Sequence, residues 1–115
     1  MADMKQTTAP PNGDNEVFLR ARLAAEPIVR ELPSGDVLTS FRLTVDRPAG
    51  SRARVDSIEC STSRARARRT LERALPGDQI EVTGALHRRF WRSPAGPASR
   101  YAVDAETVRL SRAGQ

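Results

Sequence analysis

The sequence predicts a small all-β domain interrupted by one short helix. Three observations predict it. Stretches that alternate apolar and polar residues recur along the chain, as expected of strands with one buried face. One stretch, residues 63–75, abandons that period for a run of helix formers. Pro- and Gly-containing segments stand between the alternating stretches and read as turns.

The elements follow in order. Residues 1–14, MADMKQTTAPPNGD, are polar and Pro-rich and read as a mobile tail. The first strand lies in NEVFLRARLAAEP, with Val17, Leu19, Ala21 and Leu23 on one face and Phe18, Arg20 and Arg22 on the other. LPSGD (32–36) is a turn signal, and VLTSFRLTV (37–45) is a second strand whose Val37, Thr39, Phe41, Leu43 and Val45 share a face. DRPAGSRAR (46–54) reads as a basic loop, and RVDSIECST (54–62) as a weaker third strand with Ile58 and Cys60 inward. The helix follows over 63–75. Ser63 is placed to cap it, Ala67, Leu71, Ala74 and Leu75 make its apolar stripe, and Pro76-Gly77 ends it. DQIEVTGALHRRFW (78–91) alternates again, with Gly84 mid-strand where a small residue lets a strand bend. SPAGPAS (93–99) reads as a hairpin loop, RYAVDAETVRL (100–110) as the last strand, and 112–115 as a short C-terminal end. Three strands, a short helix and two more strands is the element order of the OB-fold, a five-stranded Greek-key barrel, here over residues 15–111.

The 115 residues suffice for one domain with a modest core. The net charge of +5 is almost entirely arginine, with 18 Arg and one Lys among the 19 basic residues, and it points to a polyanionic partner. Arginine forks onto phosphate and stacks flat on rings, which lysine does not. No apolar run is long enough to span a membrane, and the N-terminus carries no apolar signal segment, so a cytoplasmic protein is expected. Cys60 and His87 are the only residues of their types, which argues against a disulfide or a Cys/His metal site, and no metal or cofactor is implied. The acidic residues are scattered and His87 has no partner signature, so no enzyme is expected.

Four patches together resemble the bacterial single-stranded DNA-binding protein (SSB) family. They are NEVFLRARLAAEPIVRELPSGDVLTSFRLTV, LPGDQIEVTGAL, RRFW and SRYAVDAETVRL, in the family's order and spacing and spanning nearly all of residues 15–110. The resemblance implies an OB barrel that assembles as a homotetramer, with a dimer also open, and wraps single-stranded DNA by stacking bases on aromatic rings and holding phosphates with basic residues. It carries over one stacking position, Trp91, flanked by Arg88 and Arg89. The sequence also departs from the family. The start of the third strand lacks the usual Trp, the 46–54 loop lacks an aromatic, and Ser61, Thr62 and Ser63 stand where a phenylalanine is usual. After the last strand the sequence shows none of the family's Gly/Pro/Gln-rich linker or acidic tip, so either a divergent member or a clipped chain is expected, without the usual hook for repair enzymes.

Trp91 therefore carries two readings, a base-stacking platform or a plug at a barrel end or subunit contact. Alternation from Ile80, Val82, Gly84 and Leu86 puts Phe90 on the inner face and Trp91 outside, which favours stacking. Among the arginines, Arg20 and Arg22 on the first strand, Arg42 on the second, Arg52 and Arg54 in the loop, and Arg88, Arg89 and Arg92 around Trp91 lie on faces that bind DNA in barrels of this kind. The helix arginines 64–73 read as a solvated face. Tyr101 reads as structural, and Phe18 as either an interface residue or a minor stacking surface. The expected function is sequence-independent single-stranded DNA binding in replication, recombination or repair. The rival is a barrel kept as a structural or protein-interaction module with DNA binding weak or lost, and an RNA-binding OB domain would use the same residues.

Overall fold

The computed structural model describes residues 13–50, 52 and 54–111. The expected tail and C-terminal end lie outside these residues, apart from Gly13 and Asp14. Seven elements follow one another: β1 (Val17–Leu23), β2 (Ile28–Glu31), β3 (Val37–Asp46), β4 (Val55–Thr62), α1 (Ala65–Glu72), β5 (Gln79–Ser93) and β6 (Gly96–Ser111). The sheet order is β1-β5-β6-β4-β3-β2, and β1 also pairs with β3 at Arg22–Leu23, which closes the sheet into the OB barrel. All pairings are antiparallel except β4–β6, which is parallel at Cys60–Val103 and Ser61–Asp104.

The alternation in β1 and β3 translates directly into packing. Ala21, Leu23, Phe41 and Leu43 are buried, and Ile80 and Val82 of β5, the strand paired beside β1, join them in the same core. Cys60 is buried in the same core, and that burial, with the charge of Glu59 beside it, pushes its thiol up to about 12. It packs as a small neutral hydrophobe.

Three details differ from the sequence expectation, each for a local reason. A sixth strand, β2, pairs with β3 from Ile28–Ser40 to Glu31–Val37; its four residues, IVRE, are all exposed and do not alternate, so they carry no period-two signal, and Pro27 separates it from β1. The turn after it is tied by Leu32 N–H to Asp36 O at 2.8 Å and Gly35 N–H to Leu32 O at 2.8 Å, with Gly35 at φ +91°. The helix is shorter than 63–75, and Ser63 does not cap it. The Thr62 hydroxyl instead accepts from Arg64 N–H at 3.1 Å and donates to Ala105 O at 2.9 Å, joining the helix entrance to β6. Because the helix ends before Leu75, that side chain falls off the apolar stripe and is exposed. Last, the expected 93–99 loop is mostly strand. Ser93 pairs with Gly96, leaving only Pro94 and Ala95 at the tip of a long β5–β6 hairpin.

Gly84 sits where β5 and β6 change register. Thr83 faces Thr107 but Gly84 faces Ala105, so Glu106 is the extra residue of a bulge on β6. A Cβ on Gly84 would lie 2.0 Å from the Asp104 carbonyl oxygen, so only glycine admits this approach. Beyond the bulge the hairpin leaves the barrel, and past Leu86 neither face of β5 has a core behind it.

Candidate nucleic-acid interface

The projecting hairpin has two faces, set by strand alternation. On one lie Arg89 and Trp91 of β5, opposite Arg100 and Ala98 of β6; on the other lie Arg88, Phe90 and Arg92, opposite Tyr101, Ser99 and Pro97. Pro97 is tolerated because this part of β6 has a free edge.

Trp91 is 42% exposed, and the Arg100 guanidinium lies over its ring, 5.2 Å from the centroid. Arg100 reaches in turn to the Glu59 carboxylate on β4, which also pairs with Arg42 of β3 at 3.7 Å. Arg89 donates to the Ser61 hydroxyl at 3.1 Å. These strands enclose a groove of about 220 Å³ whose lining includes Phe41, Arg42, Glu59, Cys60, Arg89 and Ala102. One ring, three guanidiniums and the Glu59 carboxylate thus form a continuous patch, with Glu26 on the lining of the same groove. An unstacked base fits the open face of such a ring, and guanidiniums at its flank suit the phosphates on either side.

The expected site residues divide into four groups. Trp91, Arg89 and Arg42 come together as described. Arg88 and Arg92 belong to the hairpin but face away from Trp91, since they alternate with it. Arg20 and Arg22 on β1 are held by carboxylates. Arg20 pairs with Glu81 at 3.0 Å, and Arg22 forks onto both oxygens of Asp46 at 3.0 Å. That fork holds the Asp46 carboxyl below its ordinary range and raises Arg22 above its own. Arg52 and Arg54 lie exposed in the β3–β4 loop, with no ion pair among the described residues.

Phe90 corrects the parity argument. It does share the inner-face parity of Ile80 and Val82, yet it is 73% exposed, because no interior exists at that height of the hairpin. Two members of the patch, Arg100 and Glu59, are absent from the expected set. Arg100 was recoverable: a turn placed at Pro94–Ala95 makes Arg89 face Arg100 and Trp91 face Ala98. Glu59 carried no sequence signal beyond an acid on the outer face of a strand.

Among the described residues, no group of three or more His, Cys, Asp or Glu is placed to hold a metal ion, and no helix is long and apolar enough to cross a membrane.

Comparison with known proteins agrees with this architecture. Among solved structures, one described as "Plasmodium falciparum SSB complex with ssDNA" superposes with a TM-score of 0.72 at 20% identity, covering 87% of this chain and 95% of that one. At that identity the likeness speaks for the fold. No curated protein matches the chain. The model of the single-strand binding protein family, a family of binding proteins rather than enzymes, matches residues 14–111 and so takes in every strand, the helix and the whole hairpin. The barrel, the register and that match lead to one conclusion: the chain belongs to the single-strand binding protein family.

Proposed function

We propose that the protein binds single-stranded DNA without sequence preference and protects it during replication, recombination or repair in a bacterial cytoplasm, through a binding unit spanning residues 15–111. The observation that carries this reading is the exposed Trp91 ring, backed by Arg100 and set beside a groove lined by Arg42 and Arg89. Stacking on Trp91 is indifferent to base identity because every base has a π-face, and the arginines contact a backbone that is the same in every sequence. Assembly with further copies of the chain, as a tetramer or a dimer, belongs to the same reading. It is supported by β1, which pairs with β3 only at Arg22–Leu23 and leaves Phe18 exposed beside a strand edge.

The test uses the single Trp. Titration with oligo-dT is expected to quench Trp91 fluorescence strongly at moderate salt, with little response to duplex DNA. Trp91→Ala is expected to weaken binding of labelled oligo-dT, read by anisotropy, about tenfold, the loss of one stacked base. Equal, salt-sensitive binding to single strands and duplex with no effect of Trp91→Ala would instead support the rival, a barrel retained as a protein-interaction module.

Glu59 restrains this site. Its single negative charge is shared between Arg42 and Arg100, so a phosphate must compete with a carboxylate for both. Glu59→Gln is therefore expected to tighten oligo-dT binding a few-fold. It should also steepen the slope of log K against log salt by about 0.7 for each arginine that gains a phosphate. An unchanged slope would mean that neither arginine meets the backbone.

A further inference from the structure

The face of the hairpin turned away from Trp91 is also aromatic and basic. Phe90 is 73% and Tyr101 60% exposed, and the Arg88 guanidinium lies over both rings, 5.2 Å and 5.5 Å from their centroids. Arg88 is held there by the Ser99 hydroxyl, which accepts from Nε at 3.2 Å and from Nη2 at 3.0 Å. The arrangement parallels Trp91 under Arg100, with one difference in charge. Arg100 is paired with Glu59, whereas neither Arg88 nor Arg92 has an ion pair among the described residues. Residues 87–93 and 96–101, the arms of the hairpin tip, contain no Asp or Glu.

That charge decides what the face suits. An apolar protein surface laid over Phe90 and Tyr101 would bury two guanidiniums without a counter-charge, at a large desolvation cost. A single-stranded nucleic acid brings bases for the rings and a phosphate for each guanidinium. Neither the β3–β4 loop nor β4 carries an aromatic residue, so the exposed rings of the groove-side strands concentrate on this hairpin.

We propose that Phe90 and Tyr101, with Arg88 over them and Arg92 beside them, form a second base-stacking platform for single-stranded nucleic acid on the opposite face of the hairpin from Trp91. The inference rests on the single-strand binding reading above. The hairpin is then a blade that a strand folds over, one segment on Trp91 and the next on Phe90. A strand long enough to reach both faces uses both; a very short one is held on the Trp91 side, where Arg42 and Arg89 line the adjoining groove.

The test compares Phe90→Ala with Trp91→Ala in the full chain, using dT oligonucleotides of about 16 and about 4 nucleotides, the upper and lower range for one barrel of this type. Phe90 is an exposed side chain beyond the core, so Phe90→Ala is expected to fold. It should weaken the long oligonucleotide about tenfold by anisotropy, leave Trp91 quenching by the short one unchanged, and be rescued by Phe90→Tyr. If Trp91→Ala weakens binding while Phe90→Ala leaves both lengths unchanged, the second platform is overturned and the main reading stands. If neither substitution matters, both fall together. If Phe90→Ala lowers the particle mass by light scattering with affinity intact, the face holds a second copy of the chain and the proposal is overturned.

Discussion

Gly84→Ala is expected to destabilise the protein by about 3 kcal/mol or more, a larger effect than overpacking usually brings because the obstacle is backbone. The new methyl would be placed 2.0 Å from the Asp104 carbonyl oxygen and 3.0 Å from the Ala105 Cα. No flexible side chain is available to yield. Relief requires β5 and β6 to separate at the bulge, and the bulge sets the parity that buries both Ala105 and Val108 on the two sides of Glu106. Urea denaturation followed by far-UV circular dichroism would read the loss. A midpoint equal to that of the parent protein would mean that β5 and β6 do not approach this closely at Gly84.

The second large effect is expected for Leu71→Ala, at about 2–5 kcal/mol. The helix is eight residues long, too short to persist on propensity alone. It is held by its buried face, which consists of Ala67, Thr70 and Leu71, and Leu71 is the one large apolar side chain among them. Truncating it removes the main anchor and leaves a hole at the end of the barrel. The melting temperature should fall by about 4–8 °C for each kcal/mol lost. Leu75→Ala serves as the control. Leu75 lies four residues further on but is exposed, and its substitution should leave stability within about half a kcal/mol. Equal losses for the two would show that the helix docks through a different face.

The sequence made the barrel strands legible because each of β1 and β3 has one wet and one dry face, and alternation reports that directly. Leu19, Ala21 and Leu23, and then Thr39, Phe41 and Leu43, point where the period-two pattern puts them. The same logic failed at Phe90, since parity assigns a side and says nothing about whether protein lies on that side. Ser63 misled as a cap because Thr62, one residue earlier, is placed to bond both Arg64 N–H and the Ala105 carbonyl, a partner forty-three residues away along the chain. At the site, Trp91 and Arg89 were legible from local pattern. Glu59 was not, because its role comes from the β3–β4 register that faces it to Arg42 and from the reach of Arg100. Arg20 and Arg22 show the converse. Basic residues on an outer strand face look available until the register supplies Glu81 and Asp46.

Closure of the barrel also shapes how the chain acquires its structure. The β2–β3–β4 meander is built from neighbours in sequence and needs nothing further along the chain to pair. β1 has no such freedom. Its long pairing is with β5, from Val17–Gly84 to Arg22–Gln79, and its short pairing with β3 covers two residues. A ribosome must therefore release most of the chain before the first strand finds its main neighbour, and β6, made last, is the strand that joins β5 to β4. Until then the meander shows an open β4 edge to the cell. High contact order of this kind places folding in the slower range for small domains, of order milliseconds to seconds.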